Sequence, residues 1–153
     1  MAETFIKIEG LSRLINRFRR AERGILSEQL MGELATYLIQ AILRRTARGV
    51  GADNQNFKPY SPKYRLFREE TGHPGTPVSL FYHGSMLSAM TYKTTKDTAE
   101  IFFMNTSAPG SNATNPQKAF YNQQSRNFFA ISPDEQHQIR NMVRQFIHNS
   151  LRE

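Results

Sequence analysis

The sequence contains no cysteine, no tryptophan and only four histidines among its 153 residues. Without cysteine, the chain can form neither disulfides nor thiolate zinc sites, and it has no thiol nucleophile. No apolar run approaches the roughly 18 to 20 residues that a membrane-spanning helix needs. Residues 1–4, MAET, lack the basic start and apolar stretch of a secretory signal. These absences predict a soluble protein that is made in a cytoplasm and does not enter a membrane.

Negative charge is comparatively scarce, since 20 Lys and Arg face 13 Asp and Glu, for a formal net charge of +7. This excess favours an acidic partner without choosing among nucleic acid, an anionic surface and an acidic protein face. It is densest in residues 1–48, where arginines cluster in two predicted helices. A solvated helix face whose charges complement the helix dipole explains such clusters, and contact with DNA phosphates or with a neighbouring subunit is the functional alternative. The candidate residues are Arg17, Arg19, Arg20, Arg44, Arg45 and Arg48.

The length fits a single domain spanning residues 1–153. Hydrophobic periodicity predicts an α+β fold in which a small, mainly antiparallel sheet carries a long N-terminal helix and a C-terminal helix, with extended loops. Residues 1–10 are expected to contain a strand or an arm, and residues 105–118 a polar loop. The predicted strands are 5–9, 90–96, 98–104 and a short one at 119–121. The predicted helices are 11–24, 27–48 and 133–151, with single helical turns at 61–68 and 85–89. Ser27 is the expected N-cap of the second helix, and Ser132-Pro133-Asp134-Glu135 has the pattern of a capping box at the start of the third.

Residues 49–84 alternate aromatic side chains with glycine and proline. So many rings are atypical of a flexible linker and favour packing in a core or a subunit contact. Base stacking is the alternative, because Lys58, Lys63, Arg65 and Arg68 are interleaved with the rings. The candidate interface residues come from this stretch, from the hairpin that the predicted strands 90–96 and 98–104 would form, and from the segment after the polar loop. These are Phe57, Tyr60, Tyr64, Tyr92, Ile101, Phe103, Phe120 and Tyr121.

A search for catalytic patterns finds none with adequate spacing. There is no HExxH, P-loop or dinucleotide-binding fingerprint. The neighbouring acids Glu69-Glu70 and Asp134-Glu135 are better explained as a solvated turn and a helix start, because catalytic acids must converge in a cleft. We therefore predict no catalytic, cofactor-binding or metal-binding residues and no cofactor.

The order of four segments carries a family resemblance. They read GADNQNFKPYSP at 51–62, GSMLSAM at 84–90, AFYNQQ at 119–124 and RNFFAISPDE at 126–135. In this order they resemble the tail completion, or virion morphogenesis, proteins of tailed bacteriophages, the Mu-type and P2-type families. That family typically has a Thr where His83 stands and a His-Gln pair where this chain has Gln123-Gln124.

The resemblance implies a non-enzymatic structural protein of a virion. Such a protein would complete or terminate the tail and join it to the head as part of an oligomeric, hexameric ring. Its partners would be further copies of itself and tail-tube or neck proteins, with non-specific contact to passing DNA. It would assemble in the bacterial cytoplasm and reside in the tail or neck. The alternative from another class is a small basic nucleic-acid-binding regulator.

Overall fold

A computed structural model describes residues 5–8, 27–150 and 152. Its sheet has three antiparallel strands in the order β1-β3-β2, so β3 is the central strand. Ile101 of β3 pairs with Ile6 on one side and with Tyr92 on the other. The strands are β1 (Phe5–Ile8), β2 (Met90–Thr94) and β3 (Ala99–Phe103).

Five helices complete the described fold: α1 (Glu28–Ala47), α2 (Pro62–Glu70), α3 (Ser85–Ser88), α4 (Asn115–Ser125) and α5 (Pro133–Ser150). Helix α1 packs across β2 and β3, and α5 packs against α1. This architecture confirms the α+β prediction. The helix predicted at 11–24 lies outside the described residues.

Helix α1 begins where the sequence predicts. The Ser27 hydroxyl accepts a hydrogen bond from the Leu30 amide at 3.2 Å, which satisfies one of the free donors of the first turn. Gly49 follows the helix with a φ of +74°, the left-handed conformation that glycine adopts most readily. One face of the helix is buried against the sheet and α5. Its buried apolar residues are Leu30, Met31, Leu34, Ala35, Leu38, Ala41 and Ile42.

Helix α5 begins with the capping box that its sequence predicts. The Ser132 amide donates to Glu135 Oε2 at 2.7 Å, and the Glu135 amide donates to Ser132 Oγ at 3.2 Å. These reciprocal bonds satisfy two backbone donors at the helix start. The apolar face of α5 then joins the core through Ile139, Val143 and Ile147.

Helix α4 replaces part of the predicted polar loop and the predicted strand at 119–121. Thr114 caps it by accepting from the Gln117 amide, while the Gln117 side chain accepts from the Thr114 amide. Pro116 stands in the first turn, where proline is well tolerated. Only Asn115 and Ala119 of this helix are buried. The polar composition of this segment is typical of a loop, and the sequence therefore did not predict α4, whose start is marked by its cap more than by an apolar stripe.

Three candidate interface residues belong to the core, so their assignment to a subunit surface is wrong. Ile101 and Phe103 point inward from the central strand, and Phe57 packs in the same cluster. The Phe103 ring lies 4.7 Å from that of Phe129 and 6.2 Å from that of Phe128, centroid to centroid. Period-two alternation in β3 explains this inward orientation, because every second side chain faces α1.

Candidate functional site

The described residues form an open pocket of about 710 Å³, which is a candidate functional site. It lies where the segment before α2, the chain after residue 79 and the end of α4 meet. Cations and tyrosines dominate its lining, which contains no Asp or Glu. Its lining residues are Lys58, Pro59, Tyr60, Ser61, Pro62, Tyr64, Arg68, Leu80, Tyr82, Asn122, Ser125 and Arg126.

Arg68 is the least expected member of this lining, because it is only 2% exposed. Its Nε donates to the Pro74 carbonyl at 2.9 Å, and its Nη2 donates to the Phe81 carbonyl at 2.7 Å. Among the described residues, no carboxylate lies within 4.0 Å of its guanidinium. A buried charge is costly without a charged partner, so this arginine needs other compensation.

Aromatic rings supply part of that compensation. The Arg68 guanidinium carbon lies 4.8 Å from the centre of the Tyr60 ring, 5.8 Å from Tyr64 and 5.7 Å from Tyr82. A cation over the face of a ring gains about 0.5 to 2 kcal/mol, depending on how far it is desolvated. The rings therefore hold the guanidinium in place without neutralising its charge.

Arg126 adds a second guanidinium at the mouth of the pocket. It donates to the carbonyls of Lys58 at 3.0 Å and Pro59 at 3.3 Å, which ties the end of α4 to the segment before α2. Its guanidinium carbon also lies 5.2 Å from the centre of the Tyr60 ring. Tyr60 therefore has two guanidinium groups over its ring.

The Tyr60 hydroxyl is itself held inside this arrangement. It accepts a hydrogen bond from the Leu80 amide at 3.2 Å. Burial raises the pKa of the Tyr60 hydroxyl above its ordinary value of 10.0, and the charge of Arg68 opposes that shift. Tyr60 therefore stays neutral and acts as a hydrogen-bonding and ring-packing residue near neutral pH.

The remaining rings form a continuous array beside the pocket. Phe67 stacks on Tyr64 with 6.1 Å between centroids and on Tyr82 with 5.9 Å. His73 stacks on Tyr82 at 4.1 Å, and His83 meets the edge of that ring at 4.4 Å. The Tyr82 ring is therefore in contact with three other rings of the same chain.

Helix α2, which carries Arg68 and two of these rings, is weakly anchored. Arg68 is its one buried residue, and no other described helix or strand packs extensively against it. Its large apolar side chains are exposed instead: Leu66 at 55%, Phe67 at 46% and Tyr64 at 38%. We call Tyr64, Leu66, Phe67 and the exposed Phe81 of the following loop the α2 surface.

The candidate arginines lie in different environments. Arg45 is buried, and its guanidinium binds the carboxylate of Glu135, so the assignment of Arg45 to a DNA-facing or subunit-facing surface is wrong. Arg44 and Arg48 are exposed at the end of α1. Arg17, Arg19 and Arg20 lie outside the described residues. Of the aromatic candidates, Tyr64, Tyr92, Phe120 and Tyr121 are exposed, and Tyr60 lines the pocket.

Sequence reasoning flagged Arg68 only as one of several cations among the rings. The signal that could have separated it from Arg65 is helical phase, but the apolar side chains of α2 are exposed and therefore do not mark its inner side. Arg126 was not flagged at all, because the residues it contacts are more than 60 positions away in the sequence.

A second surface feature is a basic row on α5. His137, Arg140, Arg144 and His148 are exposed and recur at three- and four-residue spacing, which places them on one side of the helix. No ion pair joins any of these four to another described residue. We call these four residues the α5 row.

Chemical groups that could hold a metal do not converge in the part of the chain that the structure describes, where no three His, Asp or Glu side chains form such a group. Within the same residues, no helix is both long enough and apolar enough to cross a bilayer.

No protein-family model matches the chain, and no curated protein or solved structure is detectably similar to it.

Proposed function

We propose that this chain is a non-enzymatic structural subunit of a tailed-phage virion, which completes or terminates the tail and joins it to the head as part of a hexameric ring. The order of the four sequence segments suggests the family, and the α2 surface is the structural observation that supports a subunit contact. The proposal locates the protein in the tail or neck and gives it further copies of itself and tail-tube or neck proteins as partners.

The α2 surface supports a protein contact because a nine-residue helix is marginal by itself. Helices of this length are usually stabilised by an apolar face that packs on the rest of the protein. Here Leu66 and Phe67 face solvent, so contact with another molecule would bury them. The rings of Tyr64 and Phe67 stack on each other and stay exposed, and exposed apolar surface of this kind marks interaction sites in soluble proteins.

In a closed ring, every copy of such a surface is covered by a neighbouring subunit. Each subunit presents one surface to its neighbour and receives that neighbour through a different one, so the α2 surface of every copy is covered once. The exposed Phe120 and Tyr121 on α4 and Tyr92 on β2 offer apolar area for the receiving side. The exposed Arg44 and Arg48 suit incidental contact with DNA that passes through the ring.

The test is the protein composition of purified phage particles. Mass spectrometry of virions is expected to detect the chain at a copy number that matches a sixfold ring. A particle reconstruction should then place it at the tail end or neck. Its absence from virions, together with normal tails in a deletion mutant, would overturn the proposal.

The α5 row favours a second candidate, a small basic regulator that binds nucleic acid. Two arginines and two histidines on one exposed helix side can follow a phosphate backbone. This candidate predicts duplex DNA binding that weakens steeply as salt is added, and a loss of that binding when Arg140 and Arg144 are both changed to Gln. The matched control changes Lys63 and Lys96 to Gln together, which also removes two exposed charges but leaves α5 intact. No retardation of DNA at low salt would remove this candidate.

A further inference from the structure

The pocket beside Arg68 has a charge that the described chain does not balance. Arg68, Lys58 and Arg126 all line it, and no carboxylate does. Only one of the three, Arg68, is buried, which makes its charge the costliest to leave unpaired. We infer that this pocket binds the carboxylate side chain of an acidic segment from a partner protein.

The hydrogen-bonding state of Arg68 leaves room for such a ligand. Its Nε and Nη2 are committed to the carbonyls of Pro74 and Phe81. Its Nη1 donates to no atom of the described residues, and it is not among their buried unpartnered atoms. A carboxylate oxygen that accepts from Nη1 would form a charge-assisted hydrogen bond, which is shorter and stronger than a neutral one.

Lys58 and Arg126 can strengthen the same contact. Lys58 is exposed, and its ammonium has no carboxylate within 4.0 Å among the described residues. Arg126 is fixed by its bonds to the carbonyls of Lys58 and Pro59. The pocket therefore combines two guanidinium groups that are hydrogen-bonded to backbone carbonyls with one exposed ammonium, and these three charges together attract an anion.

The rings argue for a protein carboxylate over nucleic acid. Base stacking needs open ring faces, but Tyr60 is covered by the guanidinium groups of Arg68 and Arg126. Tyr82 is likewise stacked on by Phe67 and His73. Because Arg68 as a whole residue is only 2% exposed, it is also more accessible to the slender end of a Glu or Asp side chain than to a phosphodiester with a sugar on each side.

This inference goes beyond the virion proposal, because it concerns the chemistry of one pocket and not the assembly that the chain joins. It is tested on the isolated full chain, so its failure would leave the ring proposal standing. The absence of the chain from virions would equally leave the pocket inference standing.

The experiment titrates the full chain with three probes at physiological salt: an acetylated Gly-Glu repeat hexapeptide, its Gly-Gln counterpart and a hexathymidine oligonucleotide. Binding is followed by NMR through the Arg68 Nε–Hε signal, which is assigned with the Arg68→Lys variant. The Glu peptide is expected to shift this signal saturably, and the Gln peptide is expected to leave it unchanged.

Two lysine variants separate the pocket from general charge attraction. Lys58→Ala is expected to weaken the Glu peptide about threefold to tenfold, since it removes one charged contact. Lys63→Ala removes an equal charge from an exposed position of α2 that does not line the pocket, and it should leave the affinity unchanged. Both positions are exposed, so both variants should fold.

Three results would overturn the inference. The first is equal binding of the Glu and Gln peptides, or binding of neither. The second is an equal loss of affinity in Lys58→Ala and Lys63→Ala, which would indicate diffuse attraction. The third is a saturable shift of the Arg68 signal by the oligonucleotide alone, which would make the pocket a nucleic-acid site.

Discussion

The Arg45 guanidinium lies 3.0 Å from the Glu135 carboxylate, and both side chains are almost fully buried. This ion pair joins the end of α1 to the start of α5. Arg45 also donates to the carbonyls of Phe128 at 3.3 Å and Ala130 at 2.9 Å, while Glu135 caps its own helix through the Ser132 amide. Every guanidinium nitrogen of Arg45 and both carboxylate oxygens of Glu135 therefore have hydrogen-bond partners, which is the condition under which a buried pair is tolerated.

Breaking this pair should strongly destabilise the fold. We expect Arg45→Met to lower the free energy of unfolding by about 3 to 5 kcal/mol, because it leaves the Glu135 carboxylate buried without its partner. Urea unfolding followed by circular dichroism measures the change. Arg44→Met, on the exposed side of the same turn, is the control and should change stability by less than about 0.5 kcal/mol.

The same pair gives a test of coupling. Glu135→Leu alone should also destabilise the fold, but its combination with Arg45→Met should cost less than the sum of the two single changes, since neither charge then remains unpaired. Strict additivity in the double-mutant cycle would contradict the contact between the two side chains.

Gly49 should tolerate alanine less well than Gly72. Both have a left-handed φ, +74° and +77°, so both pay the conformational cost of about 1 kcal/mol that alanine incurs there. A β-carbon at Gly49 would lie 3.2 Å from Pro77 Cβ and 3.3 Å from the Val78 carbonyl oxygen, whereas one at Gly72 would meet no atom within 4 Å.

We therefore expect Gly49→Ala to lower the free energy of unfolding by roughly twice as much as Gly72→Ala. Thermal unfolding of the two variants side by side compares them under identical conditions. Equal losses would mean that the chain around Pro77 gives way freely, contrary to the buried position of Gly49.

The fold should lose stability at alkaline pH because the Tyr60 hydroxyl is partly buried. Because burial raises its pKa in the folded state above 10.0, Tyr60 binds its proton more tightly folded than unfolded. This tighter proton binding contributes its full stabilisation below pH 10.0. The stabilisation is lost as the pH rises through the higher pKa of the folded state. Burial also raises the pKa of Tyr37, so the wild-type chain combines both effects.

The measurement is the urea midpoint between pH 9 and the pH at which the fold is lost. Tyr60→Phe and Tyr37→Phe should each make the decline above pH 10.0 shallower, and the double variant should make it shallowest. An unchanged slope in Tyr60→Phe would show that its hydroxyl ionises equally easily in both states.

Local signals in the sequence predicted much of this fold. The apolar stripe and Ser27 cap located α1, the Ser132-Pro133 start located α5, and β-branched and aromatic alternation located the hairpin. These features depend on residues within a few positions of one another, so they can be read without knowing the tertiary structure. Helix α4 was missed because its Thr114 cap lies in a polar stretch that is also typical of a loop.

The site could be predicted much less well. Arg45 and Arg68 are both buried, yet each belongs to a segment rich in arginine or lysine whose other members are exposed. What distinguishes them is long-range: Glu135 is 90 positions from Arg45, and the Phe81 carbonyl is 13 positions from Arg68. Composition and spacing carry no information about such partners, so a charge count treats buried and solvated arginines alike.

Sedimentation velocity of the full chain tests most directly the proposal that another subunit covers the α2 surface. The wild-type chain is expected to form a closed oligomer at micromolar concentration, and Leu66→Glu is expected to convert it to a folded monomer, because a charge in a desolvated apolar contact is costly. Met104→Glu, an equally drastic change at a 45% exposed residue after β3, should leave the oligomer intact. A wild-type chain that stays monomeric at all concentrations, or an oligomer that survives Leu66→Glu, would contradict the account.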